Sequence, residues 1–237
     1  TKNQINLFRQ IKRKRNRREK KLFIVEGKKS IDEFLTSNYK LHEIYSTHPN
    51  EFNLDSIINI SSSELSKLSS LKKPNKHIAI FHHKDQVLQK QNFYLVFDRI
   101  NDPGNLGTII RTCHWFGVDQ IICSIDSVDC YNSKVVQSSM GSLSKVNVVY
   151  TDLIKFIKTT NKKIIGTSLN SKSISDYSFK NFDGIIVFGS ESNGISLDVK
   201  RVINDYISIP KTASNSTAES LNLSISVAIF LSKIRGI

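Results

Sequence analysis

The chain has 237 residues, 39% of them hydrophobic, which is material for more than one core, and no apolar run of about 18 residues that would cross a bilayer as a helix. Its three cysteines, Cys113, Cys123 and Cys130, form no CxxC pair and cannot all pair with one another, which argues against a disulfide framework and a zinc ribbon and fits a reducing compartment. Thirty-four basic residues stand against 21 acidic ones, and the excess is uneven: positions 1–92 hold 19 Lys/Arg and 9 Asp/Glu, positions 93–237 hold 15 and 12.

Residues 1–21 carry ten basic side chains and one acid. Ile5, Phe8 and Ile11 recur three apart, so residues 3–19 are read as an amphipathic helix with a cationic far end from Lys12 to Lys21. Such a run points to a polyanion, and Arg13, Arg15, Arg17 and Arg18 are the candidate phosphate ligands. A solvated tail and an Arg-rich organellar presequence are the alternatives. No secretory n-region, apolar h-region and cleavage site opens the chain, so a cytoplasmic location is expected.

Strands are expected at 22–25, 41–45, 57–60 and 77–81, with helices at 31–35 and 62–71 between them, the latter capped by a serine. This alternation predicts a small α/β domain over residues 1–85. The polar stretch 86–92 is the linker to a second domain, 93–237. There the strands 94–97, 120–125, 146–150, 163–168, 184–188 and 206–209 alternate with helices 104–116, 133–143, 153–160, 197–203 and 218–234. Continuously apolar strands such as Ile185-Ile186-Val187-Phe188 imply a parallel sheet covered on both faces, with ligands beyond the carboxyl ends of its strands.

Three segments that follow strands depart from ordinary α/β patterning. Asp98 to Gly107 leads into a helix carrying Arg111; Pro103-Gly104 makes a turn there, and Asn105 is placed to cap the helix. Gly189-Ser190-Glu191-Ser192-Asn193-Gly194 combines small residues with one carboxylate, and lacks both the Gly-Lys-Ser/Thr of a P-loop and a GxGxxG fingerprint. Ile209-Pro210, a polar loop to Thr217, and Glu219-Ser220-Leu221-Asn222-Leu223-Ser224 form the third. Ser, Asn and Ser at a helix start favour a cap or a site that receives an anion on its N–H groups.

In order and spacing these segments resemble the motifs of the SpoU (TrmH-like) branch of the SPOUT RNA ribose methyltransferases: Asn105-x-Gly107-x-x-x-Arg111, Gly189-Ser190-Glu191-x-x-Gly194, and Ile209-Pro210 with Ser220-Leu221-Asn222-x-Ser224. Ser139-Met140-Gly141-Ser142-Leu143 is a further likeness, and Phe23-Ile24-Val25-Glu26-Gly27 resembles the substrate-binding domain that often precedes the catalytic one. The resemblance implies an α/β sheet with a deep trefoil knot, which no periodicity argument reaches. It implies a homodimer that uses S-adenosylmethionine to methylate a ribose 2′-hydroxyl of RNA without a metal. Ribosomal RNA of the large subunit is favoured; a tRNA substrate and a non-enzymatic RNA-binding protein are the alternatives, and a dinucleotide-dependent oxidoreductase is disfavoured. By the same implication Arg111 is catalytic, with Asn105, Glu191, Ser220 and Asn222 positioning it and the acceptor. Gly189, Ile209, Leu221 and Leu169 touch the cofactor. Lys211 stands where the family often has Met, an extra RNA contact; the 212–217 loop is longer than usual, and Ser226 replaces a common alanine.

Overall fold

The computed structural model describes residues 2–212, 217 and 219–237. The chain forms two compact units, one of residues up to 85 together with 129–145, the other of 86–128 with 146–237.

In the first unit, α1 (Lys2–Ile11) and α2 (Lys14–Lys20) precede β1 (Leu22–Glu26), α3 (Lys28–Leu35), β2 (Leu41–Ser46), β3 (Ile58–Asn59), α4 (Ser62–Leu68) and β4 (His77–His82). The sheet order is β1-β4-β2-β3, antiparallel except for the β2–β3 pair. Successive side chains take opposite faces. Leu22 and Ile24 cluster with Ile78, Ile80, Phe8, Ile11, Leu65 and Leu68, while Phe23 and Phe81 pack with Phe34, Tyr39 and Tyr131. With both faces covered, 22–25 is apolar throughout instead of alternating. Ser61 caps α4 in a reciprocal box with Glu64.

The single basic helix expected from the sequence is two, broken at Lys12 and Arg13. Arg17 sets the joint. Its Nε and Nη2 donate to Asp129 Oδ2 at 2.9 and 2.7 Å, and its Nη1 donates to the carbonyls of Ile11 and Lys12 at 3.1 and 3.0 Å. Those are carbonyls that the end of α1 leaves without intrahelical donors.

Asp129 belongs to the 129–145 excursion, which leaves the second unit and completes the first. Tyr131 stacks on His83, 4.1 Å between centroids, and lies 4.6 Å from Phe23. The expected helix over 133–143 is the shorter α6 (Ser133–Ser138), packed on β1. Met140 (φ 51°) and Gly141 (φ 90°) are left-handed and end it. A Cβ on Gly141 would lie 2.8 Å from the Glu33 side chain, so this turn approaches α3 too closely for any other residue.

The second unit contains β5 (Phe93–Phe97), α5 (Pro103–Trp115), β6 (Gln120–Ser124), β7 (Asn147–Thr151), α7 (Leu153–Lys158), β8 (Lys163–Ser173), β9 (Gly184–Phe188), α8 (Leu197–Lys200), β10 (Asp205–Ser208) and α9 (Leu223–Arg235). All six strands are parallel, in the order β10-β8-β9-β5-β6-β7. From β5 the chain adds β6 and β7 on one side, then places β9 and β8 on the other. Strand order reverses between β5 and β9, and in such sheets the ligand crevice opens beyond the carboxyl ends at that point. Tyr94, Val96, Ile122, Ile185 and Val187 fill the core beneath α7 and α8 with Leu153, Phe156 and Val199.

Helices α7 and α8 end short of the expected 160 and 203, and two further elements differ in ways that bear on the site. β8 runs to Ser173, and β10 pairs with it twice, at Ile165–Gly166 and again at Lys172–Ser173, so that 167–171 stands out of the ladder. The last helix starts at Leu223, not 218, because Asn222 caps it. The 212–217 loop lies mostly outside the described residues.

Candidate active site

The loops that meet at the reversal point are held by short-range chemistry. Beyond β9, Ser190 and Gly194 exchange backbone hydrogen bonds of 3.1 and 2.9 Å, closing the 189–194 loop on itself. Gly189 has to be glycine, because a Cβ would sit 2.1 Å from the Gly194 carbonyl carbon. Beyond β5, the buried Asp98 reaches both ends of that loop. Its N–H donates to Phe188 O at 2.8 Å, and its Oδ2 accepts the Ser196 N–H at 2.6 Å.

The cap of α5 is Asp102, not Asn105: Asp102 Oδ1 accepts the Asn105 N–H at 2.7 Å, and Pro103 occupies the first helical position. Asn105 is thereby left to use its side chain elsewhere. Its Nδ2 donates to Glu191 Oε1 at 2.6 Å, and its Oδ1 accepts from Asn222 Nδ2 at 2.9 Å. Asn222 Oδ1 in turn accepts from the N–H groups of Ser224 and Ile225, at 2.9 and 3.4 Å, and from Ser224 Oγ at 2.6 Å. The direction of this relay is fixed by its ends. Backbone N–H groups only donate, so the Asn222 oxygen faces α9 and its amide N–H faces Asn105; Asn105 then has its own N–H for the carboxylate. Glu191 thus sits at the end of an aligned chain that begins at the N-terminus of α9. All three sequence motifs contribute one member.

Arg111 lies on α5 beyond Asn105, exposed, with no ion-pair partner among the described residues. Ser220 is exposed ahead of the cap of α9. Arg111 and Ser220 therefore stand outside the hydrogen-bonded relay, with their polar groups open to solvent. Leu169 on the 167–171 excursion is 64% exposed, Leu221 50%, and Ile209 follows the carboxyl end of β10. Gly189 lies directly beyond the carboxyl end of β9.

The cationic candidates divide. Arg13, Arg15, Arg18 and Lys211 are exposed, and Arg15 also pairs with Glu19 at 2.8 Å. Arg17 is corrected: its guanidinium is buried on Asp129 and on the end of α1, and meets no external phosphate. Asp98 and Asp102 carry local roles that the sequence pattern left unassigned. The Asp102-Pro103 pair was a readable cap signal; the Asp98 contacts, ninety residues away in sequence, carried none.

Residues 92–232 match the SpoU rRNA Methylase family, and residues 2–79 match the MRM3-like substrate binding domain. The chain is 26% identical over 239 residues to 23S rRNA (guanosine(2553)-2'-O)-methyltransferase RlmP of Bacillus subtilis, spanning 97% of this chain and 94% of that protein. It is 36% identical over 142 residues to 23S rRNA (guanosine-2'-O-)-methyltransferase RlmB of Blochmanniella floridana, covering 58% of this chain and 54% of that one. A solved structure of a TrmH-family protein from Porphyromonas gingivalis superposes with a TM-score of 0.86 at 30% identity, over 100% of this chain and 98% of that chain. A match over more than half of the chain, with the motif residues of all three segments joined in one relay, assigns it: the chain belongs to the SpoU rRNA methylase family.

Proposed function

We propose that the protein transfers the methyl group of S-adenosylmethionine to a ribose 2′-hydroxyl of ribosomal RNA, in the large subunit. The observation that carries this reading is the Glu191–Asn105–Asn222 relay at the carboxyl edge of the sheet, which holds one residue from each motif in a single orientation. The two relatives named for 23S rRNA favour the large subunit over tRNA.

S-adenosylmethionine supplies an already activated methyl group, so the residues of this chain have to orient the acceptor and manage charge. Gly189, Ile209, Leu221 and Leu169 would hold the cofactor. Asn105, Glu191, Asn222 and Ser220 position the acceptor nucleotide. Arg111 binds a phosphate and stabilises charge that develops on the acceptor. Arg13, Arg15, Arg18 and Lys211 bind further phosphates of the same RNA. The 167–171 excursion between the two β8–β10 pairings is where we infer that the knot threads.

We further infer a homodimer, formed through α5 and α9. The two helices pack on one another, yet Trp115 is 86% exposed and Ile225 52%. Apolar side chains of that size on adjoining helices mark an association surface.

Mapping ribose methylation in 23S rRNA and tRNA from cells with and without the gene tests the reaction and the substrate together. One 23S ribose losing its methyl group supports the proposal. Loss confined to a tRNA transfers the activity to tRNA, and no loss in either RNA abandons methyl transfer in favour of RNA binding.

A further inference from the structure

Arg99 has a backbone that disfavours it and a guanidinium that, among the described residues, makes no hydrogen bond. It follows Asp98 at the carboxyl end of β5 with φ 57°, a left-handed conformation in which a side chain crowds the backbone and glycine does not. Ser124 Oγ accepts the Arg99 N–H at 2.8 Å and holds this turn. Arg99 Nε is buried and makes no hydrogen bond, although Asp98 Oδ1 lies 3.5 Å away. The side chain as a whole is 40% exposed. Among the described residues the guanidinium is therefore an ion-pair companion of a carboxylate that already accepts the Ser196 N–H, and its directional donors are unspent.

Buried polar groups without partners are rare, and strain at a ligand-bearing edge is commonest where the ligand repays it. The position is specific. Arg99 stands three residues before the Asp102 cap of α5 and one after the residue that ties down the Glu191 loop, between the ends of β5 and β6. A planar guanidinium there matches a phosphodiester, which offers two oxygens to its parallel N–H donors.

We propose that Arg99 is a phosphate-binding residue for the acceptor RNA strand, distinct from Arg111 and from the basic helices. This rests on the reading of the site as one for RNA methyl transfer. Bound phosphate would take up the donors that Asp98 leaves unspent, and so fix the strand over the sheet edge that carries the relay.

The test compares wild type with Arg99→Gly and Arg99→Lys, using an unmodified 23S rRNA transcript made in vitro and binding measured over a range of salt. Glycine relieves the left-handed strain, so its melting temperature is expected to equal or exceed that of wild type. RNA binding by Arg99→Gly should weaken roughly tenfold at about 0.1 M salt, and its log–log salt slope should fall by about 0.7 to 0.9. Calorimetric affinity for S-adenosylmethionine should be unchanged, and Arg99→Lys should keep most of the slope. An unchanged slope in Arg99→Gly overturns the proposal and leaves Arg99 as a companion to Asp98 alone. Lost S-adenosylmethionine affinity also overturns it, assigning the guanidinium to the methionine carboxylate. A wild-type protein that neither binds nor methylates the transcript, and leaves tRNA unmethylated, sinks the functional reading itself, which separates that failure from this one.

Discussion

Asn105 is where a single atom decides the site. Its amide donates to Glu191 and accepts from Asn222 at once, which an ionised carboxylate, an acceptor only, cannot do. Asn105→Asp places a second carboxylate against Glu191. Its single-turnover methyl transfer is expected to fall by at least about tenfold at neutral pH, equivalent to ~1.4 kcal/mol of barrier, with partial recovery as the pH falls and one proton is shared between the two acids. An undiminished rate at pH 7 would remove the relay from catalysis. Arg111→Ala should abolish transfer while S-adenosylmethionine affinity stays intact, since Arg111 is exposed and has no ion-pair partner to lose among the described residues. Retention of more than about a tenth of the wild-type rate would exclude a central role. The members of the relay were legible in the sequence because each sits in a segment that resembles one of the family's motifs. Their connectivity was not, because the three side chains converge from positions 105, 191 and 222. Asn105 itself reads locally as a helix cap until Asp102 is seen to fill that place.

Among the elements, the two amino-terminal helices show how a charge pattern misleads. Ten basic residues look like one cationic surface, yet Arg17 faces inward and joins α1, α2 and the 129–145 excursion. Arg17→Ala strands Asp129 in the interior and should cost about 3–5 kcal/mol in a denaturant titration, whereas the double change Arg17→Met with Asp129→Leu should restore most of it. Arg13→Glu, Arg15→Glu and Arg18→Glu should leave that stability nearly intact, and each that frees one phosphate should lower the salt slope of RNA binding by ~0.7 to 0.9. Wild-type slopes in these variants would make α2 a solvated helix. His83 belongs to the same assembly. Burial holds its imidazole down to about 4, and its Nε2 has no hydrogen-bond partner. The folded unit therefore keeps the ring neutral while the unfolded chain takes up a proton near ~6.5, so stability complete above that pH is lost progressively towards 4. His83→Phe should lessen the drop between pH 7 and pH 5 in thermal melts; an equal drop in both proteins would place the acid sensitivity elsewhere. Strand positions followed from apolar runs in both units. The contribution of 129–145 to the first unit did not, because an apolar pair such as Val135-Val136 carries no mark of which sheet will bury it.

At the scale of the whole molecule, the exposed face of α5 and α9 carries the only tryptophan of the chain, Trp115. Light scattering is expected to give about 54 kDa, two chains of 26.9 kDa, and Trp115 emission should shift to the red on dilution as the pair separates. Trp115→Asp should yield a folded monomer. A wild-type particle of one chain mass that retains activity would refute the dimer. The fold class was readable because alternating β and α elements leave few architectures open, while β8's second pairing with β10 was hidden in a run of polar residues that no strand pattern marks. The 129–145 excursion has a consequence for how the protein comes to be made. A ribosome that has released residue 85 has delivered neither Asp129, the counter-ion of Arg17, nor Tyr131, the ring beneath His83. About sixty more residues must follow, several seconds of synthesis at ordinary rates of 5–20 residues per second. Over that interval α1 and α2 are emerged, basic and without their anchor, beside the ribosome's own RNA, and a protease pulsed onto chains stalled at 85 should cut them where chains stalled well past 145 are protected.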